Sequence, residues 1–412
     1  MGKLTHASII PLIGGETIAA ERAFNARPDY LLSYEPFAKN DAHLLNYYDH
    51  SVPYYVLDKG QHHPHKVDVV SSVCPCAGLS MMHNSYGDDN PNNKWLGIAA
   101  EYVLGEIGPQ VYYGENAPGF AGNVGLTFRT LIRDIGKKHG YTMSVYRTKS
   151  LLHGLPQVRE RSFYFLWKGD KVPLLNYFRR PYTPIEQLIV NADGNFQQTP
   201  INAATPSHDP FYRYVLEVIE GGKSHTQFAA EFTYKDDEEQ HVNVNKRNVE
   251  GYILKKGHTY EQVAEWCESK GYERQAAKAV RKAAKLAAGG GIMRRGVIVP
   301  QDHIGAFVGH YPKNLTHPVQ DRFITYREAL AIMDMPLDFE LLDPTNSVNH
   351  ICQNVPVRTA QDMAEEVLAV LNDERPWIST DYVAQYNHSM THKEGWDNDN
   401  VRPVRSLEEM FA

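Results

Sequence analysis

The apolar positions of the chain fall into short runs separated by polar turns, and the runs alternate between two periods. Residues 7–12, apolar except for Ser8, lead into Ile13-Gly14-Gly15, after which Ile18, Ala19, Ala20 and Ala23 recur at helical spacing. A largely apolar run of that length predicts a buried strand, and the spacing behind it predicts a helix. Further strands are predicted at 30–34, 69–73, 110–113, 141–146 and 162–167, with helices at 95–104 and 124–139 between them. Strands alternating with helices through short glycine turns predict an α/β fold, a Rossmann-like doubly wound sheet.

From about residue 168 to residue 320 the alternation lapses into proline-broken polar segments and two helical patterns, then returns with 322–329 and a helix over 359–371. The expected organisation is therefore a sheet domain begun by 1–167 and completed by 321–372. A smaller domain is inserted at 168–320, and a polar tail follows at 373–412. In the insert, Thr259 with Gln262 three residues on predicts a capping box. Behind it, 273–288 is an alanine-rich helix carrying Arg274, Lys278, Arg281, Lys282 and Lys285, followed by three glycines and Arg294-Arg295. Glu273 is the only acid from there to Arg295, in a chain whose formal net charge is −7. That concentration predicts a phosphate-contacting surface rather than a merely solvated face.

Three polar clusters sit at predicted strand ends: Val73-Cys74-Pro75-Cys76-Ala77-Gly78, Tyr113-Gly114-Glu115-Asn116 and Pro156-Gln157-Val158-Arg159-Glu160-Arg161. Open α/β sheets keep their chemistry at the carboxyl ends of strands. Gly14 and Gly15 fall in a strand–turn–helix unit, where glycines let a ligand approach a helix N-terminus. Glu35, at the end of the second strand, is placed to accept hydrogen bonds from ribose hydroxyls. Gln61-His62-His63-Pro64-His65 lies near Cys74 and Cys76, but zinc sites usually pair their ligands across a loop with a second spaced pair, so a polar loop is expected and no metal. Four cysteines, unevenly spaced, build no disulfide framework. No apolar run is long enough to span a bilayer and no signal-peptide pattern opens the chain, so a cytoplasmic protein is expected. No heptad or repeat calls for assembly, so a monomer is expected.

The order Pro75-Cys76, Glu115-Asn116, Gln157-Val158-Arg159-Glu160-Arg161, then Arg322-Phe323-Ile324-Thr325-Tyr326-Arg327-Glu328 and a last segment containing Asn354, resembles the C5 DNA cytosine methyltransferases of bacteria and their phages. The resemblance implies S-adenosylmethionine as the methyl donor, S-adenosylhomocysteine as product and double-stranded DNA as partner, with the insert as target-recognition domain. It implies Cys76 as nucleophile, Glu115 as the acid at N3 of cytosine and Arg161 at the base carbonyl, supported by Arg159 and Gln157. The donor would meet Gly14, Gly15, Glu35, Asp58, Pro75 and Asn354. Ser80 and Lys94 would contact DNA at the ends of a glycine- and asparagine-rich loop that closes behind a flipped-out base.

The chemistry asks for these residue types. Carbon 5 of cytosine is not nucleophilic until a soft nucleophile adds at carbon 6, which suits a thiolate. The charge that builds on the ring needs a protonated carboxyl and a cationic donor nearby. Where the family usually carries an aromatic residue, a further glycine and an aromatic after the acid, this chain has Ile10, Leu12 and Pro36. Those departures leave open a donor such as a carboxylated S-adenosylmethionine, which would yield a carboxymethylated base. The same motifs would also suit a methyltransferase acting on tRNA, or a degenerate relative that binds DNA without catalysis. A role in restriction–modification, in phage genome protection or in regulation is left open.

Overall fold

The structure is a computed structural model that describes residues 4–75, 77–79, 91–190, 192, 197–234, 248–292, 296–300, 302–309 and 311–387. Its centre is an eight-stranded sheet built from β1 (His6–Ile9), β2 (Tyr30–Ser33), β3 (Tyr54–Val56), β4 (Val69–Val73), β5 (Val111–Asn116), β6 (Tyr141–Lys149), β7 (Glu160–Lys168) and β10 (Tyr382–Tyr386). The order is β3-β2-β1-β4-β5-β7-β6-β10. Every neighbouring pair is parallel except those of β7, which runs antiparallel to both β5 and β6. The expected α/β doubly wound sheet is present. β1, β2, β4 and β5 are buried along their whole length. Burial on both faces explains why their sequences read as apolar runs rather than as an alternation.

The chain leaves β1 toward one edge of the sheet and β4 toward the other, so the strand order reverses between them. A reversal of this kind opens a crevice at the carboxyl ends of the two strands. Helix α1 (Gly15–Phe24) starts at that crevice and packs against the helix Val357–Leu371, which returns from the far end of the sequence. Met363, Val367 and Val370 of that helix are buried in the main core, as their spacing predicts.

Local chemistry sets the element boundaries. Thr259 and Thr325 each open a helix with a reciprocal capping box, to Gln262 and Glu328. β1 stops at Ile9 rather than running to residue 12, because Ile10 and Leu12 take left-handed backbone with φ of 54° and 52°. Such a conformation costs roughly 1–3 kcal/mol for a side chain with a Cβ. The Ile10 N–H, donating to the Leu32 carbonyl at 2.8 Å, and complete burial of the side chain hold it there. The helix expected over 95–104 runs from Lys94 to Tyr102 and loosens into a π-helical turn at Val103–Ile107.

The insert contains a second hydrophobic cluster, with Phe211, Tyr212, Ile253, Tyr260, Val263 and Cys267 at its centre. Both flanks of the insert, with Val172, Ile185, Ile304 and Phe307, pack instead into the core of the sheet. The stretch expected to be a polar tail also departs from expectation. Trp377–Ile378 (β9) pairs with Val172–Pro173 (β8), and β10 forms the sheet edge beside β6. Their short apolar content is that of an edge element, with Val383 and Gln385 turned inward and Tyr382 and Tyr386 outward.

Candidate active site

The turn between β1 and α1 is shaped by two glycines and one distant asparagine. Gly14 has φ of 96°, the left-handed region that favours glycine. A Cβ on Gly15 would lie 2.2 Å from the Val355 carbonyl oxygen and 2.4 Å from Asn354 Oδ1, so only glycine fits. Asn354 Oδ1 accepts the Gly15 N–H at 2.9 Å, and its amide donates toward Met335 Sδ at 3.1 Å. At the end of β2 the Glu35 carboxylate is exposed and 3.0 Å from Lys59 Nζ. Asp58 accepts the Glu35 backbone N–H at 2.9 Å. Gly14, Gly15, Asn354, Glu35 and Asp58 thus border the crevice. A close-approach glycine turn with a helix start on one side and an exposed carboxylate on the other fits a nucleoside cofactor.

Across the crevice, β4 ends at Val73 and is followed by Cys74 and Pro75, and Cys76 lies outside the described residues. Cys74 is buried against Tyr164, Ser72 and the Trp95 carbonyl, and burial pushes its thiol up to about 12. It is a packing residue, not a thiolate source at neutral pH. The Asn116 amide donates to the Cys74 carbonyl at 3.4 Å, and its Oδ1 accepts the Ala117 N–H at 2.9 Å. That asparagine therefore ties the end of β5 to the Pro75 turn. Gly114 is forced by the same packing, since a Cβ there would meet Ser72 Oγ at 2.3 Å and the Tyr164 hydroxyl at 2.5 Å.

Glu115, the next residue, is 2 % exposed, with Oε1 2.5 Å from Arg161 Nε. Burial pushes its carboxyl above the usual range, and Arg161 and Arg159 pull it partly back. Arg161 also donates to the Glu160 carbonyl at 2.7 Å. Arg159 and Gln157, expected to support the base contact, act at a distance from it. Arg159 donates to the carbonyls of Phe307 at 2.5 Å, Cys352 at 2.8 Å and Asn354 at 2.8 Å. Gln157 donates to the Ile332 carbonyl at 2.8 Å. Both are buried in backbone contacts and hold the returning C-terminal segment against the start of β7.

Glu16, in the first turn of α1, went unnoticed in the sequence, where an acid at a helix start reads as a solvated dipole partner. It is 1 % exposed, and neither carboxyl oxygen has a hydrogen-bond partner of good geometry among the described residues. Burial and the neighbouring Glu115 charge push its carboxyl well above the ordinary range, with Tyr113 as the hydroxyl beside it.

The expected DNA-contacting set divides. On the helix Glu273–Ala287, Arg274, Arg281 and Lys285 are exposed and form no ion pair among the described residues. Lys282 turns inward instead, and Lys278 stays partly exposed at its side. The buried Glu250 carboxylate pairs with Lys282 and lies 3.9 Å from Lys278, while both ammonium groups sit over the Phe211 ring. A buried carboxylate has to be neutralised or paired, and these two lysines are the ones in reach. Lys94 is exposed beside the Trp95 ring. Ser80, Arg294 and Arg295 lie outside the described residues. His63 is hydrogen-bonded to the Tyr102 hydroxyl at 2.9 Å and His65 sits 3.5 Å from Asp29. Among the described residues no group of three possible metal ligands converges, and no helix is long and apolar enough to cross a membrane.

The sequence matches the family described as C-5 cytosine-specific DNA methylase over residues 49–369. No curated protein matches it. Among solved structures it is similar to a protein assigned as a DNA modification methyltransferase encoded within a prophage of E. coli, at 14% identity and a TM-score of 0.54, covering 90% of this chain and 99% of that one. A methyltransferase of Entamoeba histolytica at 13% identity and a TM-score of 0.48 covers 90% of this chain and 99% of its own. At these identities the likeness concerns the fold alone.

Proposed function

The chain belongs to the C-5 cytosine-specific DNA methylase family, and from that premise we propose that it methylates carbon 5 of a flipped-out cytosine in duplex DNA through a covalent adduct on Cys76. The observation that carries this reading is the buried Glu115–Arg161 pair, 2.5 Å apart, at the end of a strand whose next residue, Asn116, holds the Cys74 carbonyl. It brings a carboxyl with a raised pKa and a guanidinium to the strand end tied to Cys74, two residues before Cys76 in the sequence.

S-adenosylmethionine, when bound, supplies an electrophilic methyl group. The chain's own residues do the rest. Gly14 and Gly15 let the turn before α1 pack closely against Leu44, Asn354 and Val355, which sets the start of that helix at the cofactor side of the site, and the exposed Glu35 accepts from ribose hydroxyls. The Cys76 thiolate adds to carbon 6 of the ring, turning carbon 5 into a nucleophile. Protonated Glu115 donates to N3 as charge builds there, and Arg161 stabilises the same charge at the carbonyl. A base inside a duplex cannot offer carbon 6 to a thiol, so the target is extruded. Arg274, Arg281 and Lys285 of the insert contact phosphates, with Lys94 at the edge of the closing loop. The two arginines beside the crevice are already committed, Arg159 to three carbonyls and Arg161 to Glu115. Neither is thereby set aside for an extra carboxylate on the donor, which favours unmodified S-adenosylmethionine.

The test is to incubate the protein with unmodified duplex DNA and S-adenosylmethionine, digest to nucleosides and weigh deoxycytidine, with Cys76→Ser alongside. A methyl mass that disappears in the variant is expected. Methyl transfer to tRNA but not to DNA would replace the acceptor, and no transfer to either would remove the catalytic reading.

A further inference from the structure

Resting on that reading, we propose that Glu16 is a positioning residue that stores the proton with which Glu115 is recharged, so that the two carboxyls work as a pair sharing one proton. The register of the sheet leads to it. Ser8 of β1 pairs with Ser71 of β4, and Ser71 with Tyr113 of β5, forming one row across a single face of the sheet. Two residues further along β5, on the same face, is Glu115. The Ser8 and Ser71 hydroxyls are 2.6 Å apart, and Thr17 of α1 donates to Ser8 at 2.9 Å. The first turn of α1 therefore lies over this row, and Glu16 is enclosed between it and the end of β5.

A wholly buried carboxyl whose oxygens lack good hydrogen bonds is an exception that calls for an explanation. Burial raises the Glu115 carboxyl and the neighbouring Arg161 pulls it partly back, so of the two buried acids Glu115 gives up its proton more readily, whereas the proposed reaction needs it protonated. Two carboxyls sharing a water-poor site cannot both ionise readily, and the less cation-paired one keeps the proton. That one is Glu16. The charged groups facing the pair are Arg161 and Arg159, from β7 and the residue before it. Among the described residues, β1, β4 and β5 contribute the Ser8, Ser71 and Tyr113 hydroxyls. On the helix packed against α1, Asp362 and Arg358 are engaged with each other and with His153 and Arg180. In the cycle, the proton leaves Glu16 for Glu115 and passes to N3 as the thiolate adds at carbon 6. After methyl transfer the carbon-5 proton is lost to water, the electron pair it leaves re-forms the C5–C6 double bond and expels Cys76 as thiolate, N3 returns its proton to Glu115, and Glu16 is reloaded.

The experiment is the pH dependence of kcat on duplex DNA for the wild type and the near-isosteric Glu16→Gln, with melting temperature as the check on folding. The variant should lose on the order of tenfold in kcat at alkaline pH and recover in acid, where solvent protonates Glu115 directly, so its basic limb moves to lower pH. KM for donor and DNA should stay within about twofold, since Glu16 works through another residue. Superimposable profiles would overturn the proposal. Should Glu16→Gln not fold, infrared spectra of the wild type and of Glu115→Gln decide: a protonated-carboxyl band persisting in both at pH 8 supports the stored proton, and its absence overturns it. A wild type that transfers no methyl group fails the functional reading instead, and the infrared arm still decides the state of Glu16.

Discussion

Asn354 reaches back 339 residues to accept the backbone N–H of Gly15 at 2.9 Å. Its own carbonyl accepts from the Arg159 guanidinium at 2.8 Å. One residue thus joins the glycine turn, the returning C-terminal segment and the start of β7. Replacing Asn354 with Ala leaves a buried backbone N–H unpaired, which costs about 1–3 kcal/mol. The expected outcome is a lower melting temperature and a weaker donor KM, with kcat at saturating donor close to wild type. Calorimetry and steady-state kinetics check both.

Arg159 and Arg161 sit two residues apart on the chain and separate in kind. Arg159→Met strands three carbonyls and should destabilise the fold by several kcal/mol, seen in denaturant midpoints. Arg161→Met should leave a folded protein with kcat lower by about 10²–10³-fold, because it removes a donor to the reacting base. Removing Arg161 also takes away a charge that lowers the Glu115 pKa, so the basic limb of the pH–rate profile should move to higher pH.

The two neighbouring cysteines are separable. Cys74→Ala keeps the thiol expected to react and deletes only a buried sulfur, so activity should persist with a modest loss of stability of about 1 kcal/mol. Cys76→Ala should abolish methyl transfer and trapping of DNA by 5-fluorocytosine, read on a denaturing gel.

On the insert, a triple change of Arg274, Arg281 and Lys285 to Gln should weaken DNA binding and flatten its salt dependence. If each cation neutralises one phosphate, the slope of log K against log salt falls by about 2.7. Lys282→Gln should act differently, lowering the stability of the insert by leaving Glu250 buried and short of a partner. Fluorescence anisotropy across a salt series, with melting curves, distinguishes the two.

Asp41 is fully buried, and burial pushes its carboxyl up to about 7 although the Tyr54 hydroxyl donates to it at 2.8 Å. Its folded pKa is raised, so the folded state holds a proton that the unfolded chain gives up above about pH 4. Stability from this group is complete below about pH 4 and declines as pH rises toward 7. Asp41→Asn should therefore narrow the change in melting temperature between those limits relative to wild type.

Much of this was legible in the sequence because strands buried on both faces read as runs of apolar and small residues without the alternation of a half-exposed strand. The glycine turn, Glu115 and the two capping boxes follow from local pattern in the same way. What stayed hidden depends on distant partners. Lys278 and Lys282 read as solvent-facing until Glu250 supplies a buried charge for them. Arg159 reads as a support for Arg161, and nothing local shows that it also holds the carbonyls of Phe307, Cys352 and Asn354. Glu16 reads as an ordinary helix-start acid until the sheet row of Ser8, Ser71 and Tyr113 closes over it. β10 has too few apolar positions to stand out, since an edge strand shares its burial with a single neighbour.

The packing of α1 against Val357–Leu371 has a consequence for how the protein comes into being. The glycine turn is synthesised 339 residues before Asn354, and the helix that covers it follows Asn354. Until then the growing chain displays an apolar helix face and a half-built pocket, a natural client for a chaperone. The first helix therefore cannot be closed into the sheet domain before the segment that carries Asn354 has been translated, which ties folding of the glycine turn to a stretch of chain 339 residues further on.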